Sequence, residues 1–209
     1  MDFKRCRIPV VAMLLLILSA WVPAAAAAPA EKGAEGFIQS LADDAIALLN
    51  NKNDNLTDRE DRFRTMLREQ FMMDNIGRFA AGNYWREMSA QQQAEYQDLF
   101  SEWVLKTYAR RLGGYSGERF RVLNSVPATR DDIFVRSEIE GGRNAVPVKC
   151  DWRVRPVDGN FKIVDVVVEG VSMAVTQKQE FGAILARDGV NGLIGMLRDR
   201  LAQMSASNG

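Results

Sequence analysis

Apolar residues recur at helical spacing through the first half of the chain and at strand spacing through much of the second. In EGFIQSLADDAIALLNN, Phe37, Ile38, Leu41, Ala45, Ile46, Leu48 and Leu49 mark one face of a helix. NKNDN interrupts it. Thr57 and Glu60 then form a Thr-x-x-Glu capping box, which predicts a second helix with Phe63, Met66, Leu67 and Phe71 on its apolar side. MDNIGRFAAGNYWREM reads as short helical pieces punctuated by Gly77 and Gly82. Ser89 and Gln92 make another capping box before a long helix. There Tyr96, Leu99, Phe100, Trp103, Val104, Tyr108 and Leu112 follow the i, i+3, i+4, i+7 pattern until Gly113-Gly114 ends it. That face is rich in aromatics, which suits either a core helix or one wall of an apolar cavity.

After Tyr115 the period changes from 3.6 to 2. Four strand candidates follow: ERFRVLNSV, DIFVRSEIE, AVPVKCDWRVRP and NFKIVDVVVEG. The turns PATRDD, GGRN and VDGN between them predict hairpins and an antiparallel sheet. Ile133, Val135 and Ile139 alternate with Arg136, Glu138 and Glu140, and Val148, Cys150, Trp152 and Val154 alternate with Lys149, Asp151, Arg153 and Arg155. One sheet face is therefore apolar and the other charged. Two helices close the chain, roughly Thr176 to Arg187 and Val190 to Met204, the second carrying Leu193, Ile194, Leu197 and Leu201. Gly189 and Gly192 loosen their junction. This order predicts an α+β fold, a four-stranded antiparallel sheet with helices on its apolar face. No repeat or linker divides the chain, so residues 31–204 are expected to form one domain and 205–209 a disordered tail.

The first 28 residues stand apart. Lys4, Arg5 and Arg7 precede an apolar run from Ile8 to Val22, and PAAAAAPA offers small-x-small cleavage sites between 26 and 30. This is the pattern of a cleaved export signal, and the run falls short of the ~20 residues of a spanning helix. Cys6 precedes the run and leaves with the signal. The chain carries 27 basic and 27 acidic residues, and loss of the signal leaves a balance near −2. That gives no electrostatic case for nucleic acid or for sticking to anionic lipid surfaces.

Candidate chemistry is sparse because the sequence contains no histidine. His/Cys zinc clusters and Ser-His or Cys-His nucleophile pairs are thereby excluded. No phosphate-cradling glycine loop is present. Asp43-Asp44 and Asp131-Asp132 read as solvated surface acids. Cys150 reads as a small buried hydrophobe, the alternatives being an interchain disulfide or a nucleophile. KIVDVVVEGVSMAV runs a strand into Gly170-Val171-Ser172-Met173-Ala174, a shape close to a hydrolase nucleophile elbow. Without histidine, Ser172 has no triad.

Two blocks of the chain, GRFAAGNYWREMSAQQQAEYQDLFSEWVLKTYARRLGGYSGE and WRVRPVDGNFKIVDVVVEGVSMAVTQKQEFGAIL, are followed by DGVNGLIGMLRDRL. Together they resemble the MlaC-type periplasmic lipid carriers, also called the toluene-tolerance or ABC transporter auxiliary component family. The resemblance covers essentially the whole chain after the signal. It implies an NTF2-like or cystatin-like architecture, in which a curved sheet and helices enclose an apolar pocket. It implies a periplasmic protein that is not an enzyme, has no cofactor, and shuttles phospholipid between membranes. The implied partners are an inner-membrane ABC transporter with an MCE-domain subunit and an outer-membrane lipoprotein-porin complex. Ser172 then belongs to a strand-to-helix junction and hydrogen-bonds nearby backbone.

Such a carrier needs apolar area and no head-group chemistry. Two acyl chains offer roughly 30 methylene groups at ~0.8 kcal/mol each, a gross ~24 kcal/mol against water. That is close to what a bilayer supplies, so pocket fit decides. The expected lining is Tyr84 and Trp85, then Phe100, Trp103, Val104 and Tyr108 on the long helix, and Ile133, Val135, Val148 and Trp152 on the sheet. Val175, Phe181 and Ile184 are expected at the mouth. Taken singly, each suits core packing equally well. Arg86, Arg110 and Arg111 are placed either to meet a phosphate or to remain solvated. The competing readings are a carrier of a polycyclic lipid such as a hopanoid, an NTF2-like enzyme using Asp165, and a ligand-free adaptor.

Overall fold

The computed structural model describes residues 29–51, 55–109, 117–141 and 146–206. Helices α1 (Pro29–Asn50), α2 (Leu56–Gln70), α3 (Met73–Ala81) and α4 (Ala90–Ala109) come first, with a 3-10 turn at Gly82–Arg86 between α3 and α4. Strands β1 (Arg119–Pro127), β2 (Ile133–Glu140), β3 (Val148–Val157), β4 (Asn160–Val168) and β5 (Val171–Ser172) follow, and α5 (Met173–Ala206) ends the described chain. The Ser89–Gln92 box forms as expected. The Gln92 N–H donates to Ser89 Oγ at 3.2 Å, and the Ser89 N–H donates to Gln92 Oε1 at 3.0 Å. Helix α2 starts earlier than the Thr57–Glu60 box predicts. Asn55 caps it, accepting from the Asp58 N–H at 2.9 Å, which leaves Thr57 inside the helix. The predicted stop at Gly113-Gly114 lies outside the described residues.

The sheet is antiparallel with strand order β1-β2-β3-β4-β5. It therefore has one strand more than the four expected. Glu169 and Gly170, at φ 49° and 80°, form a two-residue hairpin turn that folds Val171–Ser172 back onto β4. The sequence reads this stretch as a simple junction because a two-residue strand has no periodicity to detect. Register shifts leave Leu123 in β1 and Val164 in β4 without Cα partners. Such bulges bend strands and increase their twist.

Cross-strand pairing assembles the apolar face row by row. One row spans the sheet as Val122, Ser137, Cys150, Val168 and Val171; others are Val135-Trp152-Val166 and Ile133-Val154-Ile163. Helix α1 covers the Ile133 end of this face, where Ala34, Ile38 and Leu41 bury Ile133, Val135, Val154 and Ile163. The helices build a second core of their own from Tyr96, Phe100 and Trp103 of α4 and Phe181, Leu185, Leu193, Ile194 and Leu197 of α5. A third, smaller cluster of Phe63, Leu67, Met73, Leu105 and Ala109 joins α2, α3 and α4.

Helix α5 consists of the two helices expected at the chain's end, joined at Gly189. It runs on through a kink at Gly189 (φ 69°, ψ −172°) and continues to Ala206, past the expected domain end at 204. Asp132 also differs from its reading as a solvated acid. It is 1% exposed and receives Arg153 Nε at 2.8 Å, Arg155 Nε at 2.6 Å and Arg155 Nη2 at 3.0 Å. The arginines lie more than twenty residues along the chain, on β3, and only hairpin register brings them to the carboxylate.

Candidate functional site

Part of the apolar sheet face is only partly buried. Phe120, Ile139, Val148, Trp152, Val166 and Val168 are all half-buried, whereas Ile133, Val135, Val154 and Ile163 are fully buried. Phe120 meets Trp152 edge-on, with ring centroids 6.2 Å apart and planes at 70°. The polar atoms of this face satisfy one another. Trp152 Nε1 donates to Ser137 Oγ at 3.0 Å, and the Ser137 hydroxyl donates to the Cys150 carbonyl. The face thus presents hydrocarbon with no free donor from the indole. Cys150 is buried within it, and burial, reinforced by the Asp151 charge, pushes its thiol up to about 12. It is a thiol at neutral pH and no nucleophile.

The thirteen expected lining residues separate into a helical group, a sheet group and two exposed residues. Phe100, Trp103 and Phe181 are buried in the helical core, with ring centroids 6.1 Å apart for Phe100–Phe181 and 5.8 Å for Trp103–Phe181. Tyr84, Trp85, Val104 and Ile184 pack half-buried around them. Ile133 and Val135 lie beneath α1, and Val148 and Trp152 stand on the half-covered sheet face. Tyr108 and Val175 are exposed at 39% and 43%. The sequence misses Phe120, Ile139, Val166 and Val168. Their signal is the period-2 alternation itself, read as a row across strands rather than strand by strand. Arg86 is exposed on the 3-10 turn, and Arg110 and Arg111 lie outside the described residues. A separate surface groove of about 430 Å³ lies over Leu99 and Leu201, rimmed by Arg68, Asp98, Ser101 and Glu102. It belongs to the helical side and does not touch the sheet.

Asp165 stands on the charged face of the sheet, opposite Arg153. Its Oδ2 accepts the Ser172 hydroxyl at 2.5 Å, and its Oδ1 accepts the N–H groups of Val166 and Ala174 at 2.8 and 3.0 Å. Ser172 Oγ in turn accepts the Val175 N–H at 3.0 Å. These are the donors that the first turn of a helix leaves unpaired. The elbow-like stretch is thus the N-terminal cap of α5, and both oxygens of the one carboxylate proposed for catalysis are occupied in holding it. Among the described residues no three His, Cys, Asp or Glu side chains gather to hold a metal, and no helix is long and apolar enough to cross a membrane.

A family model described as MlaC protein matches residues 39–199. The chain is 24% identical over 175 residues to the intermembrane phospholipid transport system binding protein MlaC of Haemophilus influenzae, an alignment covering 80% of this chain and 81% of that one. The fold matches, at a TM-score of 0.72 and 26% identity, the structure of a phospholipid-binding protein from Ralstonia solanacearum in complex with a phospholipid. That match covers 82% of this chain and 98% of the other.

Proposed function

The chain belongs to the MlaC family, and on that premise we propose that it is a soluble periplasmic carrier whose half-covered apolar sheet face holds the acyl chains of a phospholipid. The observation that carries this reading is the uneven burial of one sheet face: Ile133, Val135, Val154 and Ile163 are buried with α1, while Phe120, Ile139, Val148, Trp152, Val166 and Val168 stay only partly buried. The helical core and the sheet core are separate clusters, linked through the small third cluster by Val104, Met66 and Phe71. Parting the layers at this narrow seam admits acyl chains without breaking either core. Phe120, Val148 and Trp152 form the floor of the acyl site. Residues 1–28 export the chain and are cleaved, and residues 31–204 act as one carrier domain. The carrier works without a cofactor and catalyses no reaction. It exchanges its lipid with an inner-membrane ABC transporter bearing an MCE-domain subunit and with an outer-membrane lipoprotein-porin complex.

The gross transfer term of ~24 kcal/mol for two acyl chains makes release into water negligible, and near-parity with the bilayer makes exchange reversible. Native mass spectrometry of the purified protein, followed by organic extraction, tests the reading. A stoichiometric mass shift that extracts as two-chain phospholipid is the expected result. A polycyclic lipid in its place would reassign the cargo. Protein without lipid, and without uptake from labelled vesicles, would overturn the carrier function.

A further inference from the structure

Ser137 lies in the middle of the apolar sheet face and is 1% exposed. Strand register sets it directly opposite Cys150 of β3, in the row next to that of Trp152. Its hydroxyl donates to the Cys150 carbonyl and accepts the Trp152 indole N–H at 3.0 Å. Phe120 meets the same indole edge-on, with ring centroids 6.2 Å apart, so contacts from β1 and β2 together fix its orientation. The other hydroxyl on these rows, that of Ser125, donates to Glu35 Oε1 of α1 at 2.6 Å. Among the described residues of the apolar rows, every side-chain oxygen and nitrogen is therefore committed within the protein.

We propose that Ser137 is a positioning residue for lipid selection: by holding the Trp152 N–H away from the bound chain, it makes the sheet face select unsubstituted acyl chains over hydroxylated ones. The proposal rests on the carrier reading above, in which Trp152 is part of the floor of the acyl site. A chain hydroxyl laid on this face finds no free donor or acceptor, whereas in a bilayer it bends toward the interface and meets water. A buried hydroxyl without a partner costs on the order of ten- to a hundredfold in affinity. A methylene in the same place loses nothing. Without the Ser137 hydroxyl the indole N–H is itself unpaired, and a bond to a ligand hydroxyl then relieves both groups. Ser137 touches no ligand in this scheme and acts only through Trp152.

The test is competitive loading. Purified protein is incubated with excess vesicles holding equal amounts of dioleoyl-phosphatidylglycerol and its analogue with a mid-chain hydroxyl on one oleoyl chain. It is then re-isolated, and the extracted lipids are counted by mass spectrometry. Wild type should favour the plain lipid about tenfold or more. Ser137→Ala should bring the ratio to within about twofold of one, while Ser137→Thr, which keeps the hydroxyl, should keep the wild-type ratio. By NMR, the Trp152 indole N–H, assigned by its loss in Trp152→Phe, should exchange with deuterium faster in Ser137→Ala than in wild type or Ser137→Thr. In a Trp152→Phe background, adding Ser137→Ala should leave the ratio where Trp152→Phe alone sets it. An unchanged ratio in Ser137→Ala, an equal shift with Trp152 absent, or wild type that loads both lipids equally would overturn the positioning role while leaving the carrier reading intact. Wild type that loads neither lipid would overturn both.

Discussion

Replacing Asp165 by alanine separates a helix-capping role from a functional one. Its carboxylate accepts three hydrogen bonds, two of which hold the start of α5, from Ser172 Oγ and the Ala174 N–H. Loss of a capping acceptor costs about 1 kcal/mol and up to about 2. A hydrogen bond to a charged group contributes about 1.5–3 kcal/mol where no water replaces it. The site is only partly buried, so water recovers part of each, and Ser172 still caps the Val175 N–H. The sum is about 2–4 kcal/mol. For a chain of this size it lowers Tm on the order of 10 °C. Asp165→Asn keeps one acceptor oxygen and should lose about half as much. Urea unfolding read by circular dichroism should show a lower midpoint at unchanged m. Phospholipid per mole of protein, measured well below the unfolding temperature, should not change. An alanine variant of wild-type stability, or one that loses lipid or transfer activity at unchanged stability, would refute the capping assignment and return Asp165 to the functional site.

Two further outcomes follow from burial and backbone geometry. The Cys150 thiol is raised from 9.0 to about 12 in the fold, so its contribution to stability is complete below pH about 9. It is lost as pH rises from there to about 12, up to about 4 kcal/mol in all. Urea midpoints across alkaline pH should therefore fall less steeply in Cys150→Val. Some slope should remain, because burial raises Tyr96 in the same sense. Gly189 sits at φ 69°, ψ −172°, a region open almost solely to glycine, with nothing within 4 Å of an added Cβ. Gly189→Ala should cost about 1–3 kcal/mol through conformation alone, and a midpoint equal to wild type would show that α5 does not need its kink.

The elements were legible wherever a local rule governs them. The Ser89–Gln92 box, the Asp158-Gly159 turn between β3 and β4, and the alternation of β2 and β3 depend on neighbours in the chain, and the fold contains all three. The cap of α2 was misread because Asn55 and Thr57 are both competent caps two residues apart, and only the folded helix selects one. The fifth strand was missed because two residues carry no period.

Missing histidine excludes His-dependent metal and nucleophile chemistry from composition alone, since chemistry that needs absent side chains cannot be restored by folding, and the carrier class rests on the resemblance of three ordered blocks of sequence. Tertiary structure decided which apolar face meets which. Periodicity reports that Phe100 and Trp152 each lie on an apolar face, but not what covers it. Phe100 of α4 is sealed in the helical core with α5, while Trp152 stands only partly buried on the sheet face beside the α1 cluster. Asp132 is the polar counterpart, a surface acid by local pattern and a buried one by hairpin register. In each case the deciding contact comes from a distant part of the chain, and a local pattern holds no information about it.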